Sequence, residues 1–197
     1  MMVFSMPFYK KINQSVIALL LGFFTTLLPL DVLANNKLLI KNAELVAQDD
    51  AYELNANVEI KFGEKVEEAL LKGFELHFIL EFQLALPIKY WFDDEIVTIT
   101  YPMTLGYHPL SRQFMVTQAG VQKSFASLPE VSAELANLKH IHVIKKTAVE
   151  KNEHYKALLL IRLDNKKLPQ AMQEIDDDPE TWEMKSQLYE WAPAILK

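Results

Sequence analysis

His140 and His142 stand two apart, so an extended chain would turn both imidazoles to one face, as the beginning of a zinc site would require. Such a site needs a third ligand. The nearest residues, Glu134 and His154, lack ligand-like spacing, and the chain contains no cysteine. The sequence therefore specifies no metal site, and these histidines read as structural or solvent-facing. The segment Tyr107-His108-Pro109-Leu110-Ser111-Arg112-Gln113-Phe114 gathers a base, a hydroxyl and a guanidinium. A serine hydrolase would need the serine on a glycine-flanked elbow and an acid to orient the histidine. Neither is written here, so His108, Pro109 and Arg112 read as a structural corner between strands. In that corner Pro109 interrupts pairing and Arg112 reaches a carboxylate.

Two carboxylate runs, Asp93-Asp94-Glu95 and Asp176-Asp177-Asp178, have the oxygen chemistry of calcium ligands. Consecutive acids point in different directions, and neither run has the alternating order that aims oxygens at one ion. Both read as solvated turns, Asp178 being placed before a proline. The aromatic run Tyr90-Trp91-Phe92 is the candidate contact surface. On a strand, Trp91 would go one way and Tyr90 with Phe92 the other, so one set must face away from the core. Trp182, Tyr189 and Trp191 form a second aromatic group, read as core.

Composition closes off several function classes. Twenty Lys and Arg stand against 26 Asp and Glu, a net charge of −6 with no basic block, which argues against a nucleic-acid partner. Five glycines leave no phosphate-cradling loop. Without cysteine there is no disulfide framework, thiolate metal site or cysteine nucleophile. No cofactor is expected, and no enzyme.

The beginning of the chain reads as an address. Lys10 and Lys11 precede an uncharged run from Ile12 to Leu30, followed by Asp31 and Val32-Leu33-Ala34. A basic start, a short apolar run and small residues together form a secretory signal, cleaved after Ala34. The alternative is an N-terminal membrane anchor, although a stable span needs about 20 apolar residues and Asn13, Gln14, Thr25 and Thr26 interrupt this one. Residues 35–197 would then be a periplasmic or secreted domain of net charge −7.

That domain is written in period two. Tyr52, Leu54, Ala56, Val58, Ile60 and Phe62 alternate with Glu53, Asn55, Asn57, Glu59 and Lys61, which predicts a strand with one dry and one wet face. Asp49-Asp50 joins it to an earlier strand over about 38–47. A third alternating run covers 74–86, with Phe74, Leu76, Phe78, Leu80, Phe82, Leu84 and Leu86 on one face. A fourth carries Val97, Ile99, Tyr101, Met103, Leu105 and Tyr107, which separates the aromatic run from the corner by about 50 Å if straight. Phe114, Val116 and Val121 mark a further strand, and 155–163 reads as central. Two short helices are expected. One lies between Gly63 and Gly73, and the other starts at a Ser127-Leu128-Pro129-Glu130 capping box with the stripe Leu128, Val131, Leu135, Leu138. A helical piece is expected over Gln170–Ile175. The 179–191 stretch fits a helix or a strand, the strand being favoured because Trp182, Met184, Ser186 and Leu188 alternate. Together this is a mainly β fold, an antiparallel β-sandwich (Ig-like or similar) of roughly seven to nine strands with two short helical connections.

Several segments together resemble one bacterial family. They are Ala69-Leu70-Leu71-Lys72-Gly73, Tyr90-Trp91-Phe92-Asp93, the Tyr107–Phe114 corner, Ser127-Leu128-Pro129-Glu130, Arg162-Leu163-Asp164 with Leu168-Pro169, and the closing Trp182 and Trp191. Their order and spacing are similar to the exported proteins of domain-of-unknown-function family 4390, sometimes labelled proline-rich signal peptide proteins. The resemblance brings no activity and no catalytic residues. It implies an envelope setting, since members are often encoded beside membrane histidine kinases, and hence an envelope partner such as a membrane sensor. Three functions are therefore open to test: a non-enzymatic interaction module, a carrier of an apolar or lipid ligand between sheet and helix, and a hydrolase using His108 and Ser111.

Overall fold

Strict alternation leaves a chain one way to bury its apolar half, as paired strands, and nine strands form among the residues the structure describes. A computed structural model describes residues 36–88, 93–150, 153–170, 172 and 182–196, all within the compact unit Leu33–Lys197. The expectations for the signal segment, for Tyr90, Trp91 and Phe92, and for Asp176–Asp178 lie outside the described residues.

The strands are β1 (Lys37–Gln48), β2 (Ala51–Lys61), β3 (Leu76–Leu86), β4 (Asp94–His108), β5 (Gln113–Gln118), β6 (Val121–Phe125), β7 (Asn137–Lys145), β8 (Lys156–Leu163) and β9 (Tyr189–Trp191). They make two antiparallel sheets, one of three strands in the order β1-β2-β7 and one of six in the order β6-β5-β4-β3-β8-β9. β1 lies over β8 and β7 over β4, a sandwich-like arrangement. The core between the sheets is made of the alternating apolar sets already visible in the sequence: Leu54, Val58 and Ile60 from one sheet, and Leu76, Phe78, Leu80, Phe82 and Leu84 from the other. Among the described residues two short helices pack with the sheets, α1 (Glu64–Leu71) and α2 (Leu128–Leu135), besides the helical Gln170 and Met172. Among the described residues no helix is long and apolar enough to cross a membrane.

Helix α1 ends as its glycine predicts. Gly73 has φ +89°, its N–H donates to the Leu70 carbonyl, and the Phe74 N–H donates to the Ala69 carbonyl. This double bond closes the helix and holds Phe74 against its last turn, so β3 starts at Leu76 instead of Phe74. Helix α2 departs from its capping box. The Ser127 hydroxyl donates to Glu130 Oε1 at 3.2 Å, and Glu130 Oε2 accepts the Ala126 N–H at 3.0 Å, so only the glutamate caps backbone. Leu138, expected on the helix stripe, is instead a buried residue of β7, because the helix stops at Leu135.

β7 was not among the strands the alternation predicts, and a bulge explains why. Leu54 pairs with Ile141 and Ala56 with Leu138, so three steps on β7 answer two on β2 and the inward residues fall out of period two. His140, with φ +58°, lies in this bulge. β1 hides its phase in the same way, with a register shift between Ile40 and Asn42 that leaves Lys41 as the extra residue. Lys41 reaches Glu59 at 3.3 Å, beside Lys37 at 3.1 Å and Lys61 at 3.5 Å. Hydrogen bonds from Lys37 and Lys41 hold the Glu59 carboxyl at about 2, against an ordinary 4.5. A depressed carboxyl stabilises the fold above its unfolded value and loses that contribution as pH falls through the folded one. Glu59→Gln is therefore expected to lower the melting temperature at neutral pH, and its difference from wild type to shrink between about 4.5 and 2. A difference that stays constant down to pH 2 would show that Glu59 is not linked to folding.

In the 182–191 stretch Trp182 lies in a 3-10 turn, Lys185 forms an isolated bridge with Arg162 and only Tyr189–Trp191 is a strand, so the favoured strand forms in part, and its phase slips. Met184 and Ser186 are buried, yet Leu188 is 52% exposed and Tyr189 and Trp191 turn inward. The cause is register. The Leu163 N–H donates to the Met184 carbonyl, the Ser186 N–H donates to the Ile161 carbonyl, and Leu159 pairs with Tyr189. Two steps on β8 thus answer three after Ser186, which throws Leu188 outward. Gln170 and Met172 are helical, and the rest of the helical piece expected over Gln170–Ile175 lies outside the described residues.

The β5–β6 hairpin turns on two residues, Ala119 and Gly120, with φ +47° and +77°. Positive φ at both central positions is the tight-hairpin geometry that asparagine-glycine fits best, and alanine is strained there. Ala119→Asn is expected to stabilise the domain by about 0.5–1 kcal/mol, read as a rise in the denaturation midpoint with unchanged slope. A fall would mean the turn is not held in this conformation.

Candidate functional site

The same turn shapes the most accessible part of the large sheet. Because Ala119 and Gly120 reverse the chain, β5 stops pairing with β4 at Gln118, opposite Met103. Pro102 follows on β4 and has no N–H to offer a neighbour. From Asp94 to Pro102, β4 therefore carries β3 on one side and, among the described residues, no strand on the other. A register shift opposite Leu84 and Ala85 makes Ile96 a bulge. Bulge and proline blunt the two ends of this edge and leave the regular window Val97–Tyr101 between them.

Side chains in the window alternate. Val97, Ile99 and Tyr101 pair with Leu84, Phe82 and Leu80, so they share the inner face. Their β3 partners are fully buried, whereas these three are only half-buried; further along the same face Met103 and Leu105 are covered. The apolar inner face thus runs past its cover along this half of β4. Burial pushes the Tyr101 phenol up. Thr98 and Thr100 are exposed on the outer face, opposite Gln83 and Glu81. Glu81 is held in turn by Arg162, whose Nε and Nη2 donate at 3.0 and 2.6 Å.

Carboxylates gather where β4 begins. Asp93 pairs with Lys156, which raises the lysine's ammonium above its ordinary range. Glu95 accepts a hydrogen bond from Gln83 at 2.8 Å, and Asp94 is exposed. Asp93 and Glu95 thus have different partners, a lysine on β8 and a glutamine on β3. Among the described residues no group of three or more His, Asp and Glu side chains is placed to hold a metal ion.

The corner residues take up a hairpin connection. His108 closes β4, at the end opposite Asp94, and pairs with Gln113. Pro109 and Arg112 lie in the exposed turn between them, Arg112 with φ +55°. Among the described residues Arg112 forms no ion pair, so the carboxylate expected for it is not there. Both the N–H and the hydroxyl of Ser111 lie against His108 Nδ1, at 3.3 and 3.1 Å. One ring nitrogen accepting two donors from a neighbouring turn is a local clasp. Beneath the turn Tyr107 packs on Phe114 with ring centroids 5.0 Å apart.

His140 and His142 do share a face, and the structure supplies the partner that spacing did not. His140 Nδ1 lies 2.9 Å from Glu53 Oε2, and His142 Nδ1 lies 3.5 Å from Glu53 Oε1. The His140 N–H donates to Asn55 Oδ1 at 3.1 Å, which ties the bulge to β2. The two imidazoles approach different oxygens of one carboxylate, so the group fastens β7 to β2. No sequence signal marks Glu53 as the partner, since 87 residues separate it from His140.

Along its centre β3 offers no surface to an apolar ligand of the kind a carrier would hold. Leu76, Leu80, Phe82 and Leu84 have no accessible surface, and a void large enough for a ligand would leave some. Trp191 packs on Phe82 at 6.1 Å and Tyr189 on Trp191 at 5.6 Å, which places this second aromatic group at the margin of the core.

No curated protein and no solved structure matches the chain. A family model described as domain of unknown function (DUF4390) matches residues 35–192. Since the match takes in every strand from β1 to β9, the chain belongs to the DUF4390 family.

Proposed function

We propose that this protein is an exported, non-enzymatic interaction module of the cell envelope, which receives an extended segment of another envelope protein along β4. The observation that carries the reading is the Val97–Tyr101 window, an edge without a neighbouring strand among the described residues whose inner face is apolar and half-exposed. Strand addition needs free main-chain donors and acceptors for affinity and alternating side-chain contacts for specificity. β4 offers both. Export is supported by Lys10 and Lys11 ahead of the Ile12–Leu30 run and by Val32-Leu33-Ala34. Tyr90, Trp91 and Phe92, which precede β4 in the chain, are further proposed contact residues on their sequence pattern alone. A membrane sensor is the first partner class to test, on the family resemblance.

Photoreactive side chains placed at Thr98 and Thr100, with Gln122 on β6 as the control, test this in intact cells. The first two positions should crosslink to one short segment of one envelope protein, and Gln122 should not. Equal yields at all three positions, or none at Thr98 and Thr100, would overturn the reading.

A further inference from the structure

Resting on the strand-addition reading of β4, we infer that the incoming segment runs antiparallel to β4, alternates apolar and polar residues, and carries basic side chains at its C-terminal end. Its direction follows from β5. That strand is antiparallel to β4, pairing Gln113 with His108 and Gln118 with Met103 before the chain turns away. A segment continuing the line of β5 enters beside Tyr101 and leaves beside Asp94. Antiparallel pairing also keeps the large sheet uniform, as all its strand pairs are antiparallel.

The alternation follows from the two faces of the window. Inward residues of the segment would sit beside Val97, Ile99 and Tyr101, half-buried apolar groups already packed against the core, and would extend that surface. Outward residues would sit beside the exposed Thr98 and Thr100. A segment with its apolar residues in the opposite phase would leave them in water and set polar groups against the inner face.

The basic end follows from charge. At the start of β4 stand Asp93, Asp94 and Glu95, and Glu190 of β9 lies close enough to act on Lys156. Lys156 pairs with Asp93, and Gln83 gives Glu95 a hydrogen bond without a charge. From Asp94 to Tyr101 the strand has no lysine or arginine, and among the described residues neither Asp94 nor Glu95 forms an ion pair, so both present negative charge to whatever lies alongside. At the other end of the window, Tyr101 and Pro102 are uncharged.

The test uses the full chain and three synthetic nine-residue peptides, each alternating threonine and valine. One has two lysines at its C-terminal end, one has them at its N-terminal end, and one has two glutamates at its C-terminal end. Affinity is measured by fluorescence polarisation, and the site by amide hydrogen exchange over 94–102. The C-terminal lysine peptide should bind about ten-fold more tightly than the N-terminal one and protect 94–102. The double variant Asp94→Lys with Glu95→Lys should reverse the preference toward the glutamate peptide. If all three peptides protect 94–102 equally and the variant changes nothing, the inferred polarity and charge fall while strand addition stands. If no peptide protects 94–102, strand addition itself fails. Concentration-dependent protection of 94–102 with no peptide present would assign the edge to a second copy of this chain, and would overturn both.

Discussion

Phe82→Ala is expected to destabilise the domain by about 3–5 kcal/mol, as truncation of a fully buried phenylalanine does. Phe82 is at 0% exposure on β3, a strand flanked by β4 and β8, and it pairs with Ile99 on one side and Leu159 on the other. Its ring also packs on Trp191, so truncation leaves a cavity bounded by three strands that cannot all move in to fill it. For a domain of this size the loss corresponds to a fall in melting temperature of about 6–20 °C, measurable by calorimetry or denaturant titration. Ile99→Ala, on the neighbouring half-exposed position, should cost much less, because part of that side chain already lies in water. A Phe82 loss no larger than the Ile99 loss would mean that the two sheets do not enclose their core at β3.

Ser186→Ala is expected to cost about 1–3 kcal/mol, a large effect for removal of one oxygen. Ser186 is buried, and its Oγ accepts the N–H of Ile161 at 3.1 Å while its own N–H donates to the Ile161 carbonyl. Along this part of β8 the neighbouring chain is too irregular to supply a carbonyl for that amide, and the serine hydroxyl completes the ladder. Alanine keeps the backbone bond but strands the Ile161 N–H away from water, which costs its desolvation. Leu188→Ala, two residues along and exposed, should be close to neutral. Faster hydrogen exchange at the Ile161 amide in Ser186→Ala would locate the defect. Unchanged stability and exchange would show that the amide has another acceptor.

The contrast between Ser186 and Leu188 also shows how far period-two reading reaches. Alternation correctly turned Met184 and Ser186 inward and then carried Leu188 with them, since nothing local announces that β8 and its neighbour slip by one residue. The same limit hid β7, where the bulge at His140 breaks the phase, and the bulge at Lys41 in β1. Where the extra residue of a bulge lies on the partner strand, as opposite Leu54–Ile60 and Leu76–Leu84, the sequence pattern and the burial pattern coincide.

The edge of β4 lies on both sides of this boundary. Its inward set was legible, because every second residue from Val97 to Tyr107 is apolar or aromatic, and Gly73 marked the end of helix α1 through its freedom at positive φ. That Val97, Ile99 and Tyr101 stay half-exposed was not legible. It depends on β5 stopping opposite Met103 and on the smaller sheet leaving that part of the inner face uncovered, both consequences of which strands pair and in what register. The clasp of Glu53 with His140 and His142 is another case, joining residues that chain spacing cannot relate. A side chain's own chemistry and the pleat of its strand act over a few residues and can be read along the chain. Register and sheet coverage come from contacts between distant segments, whose free energy exists only once the two sheets have come together.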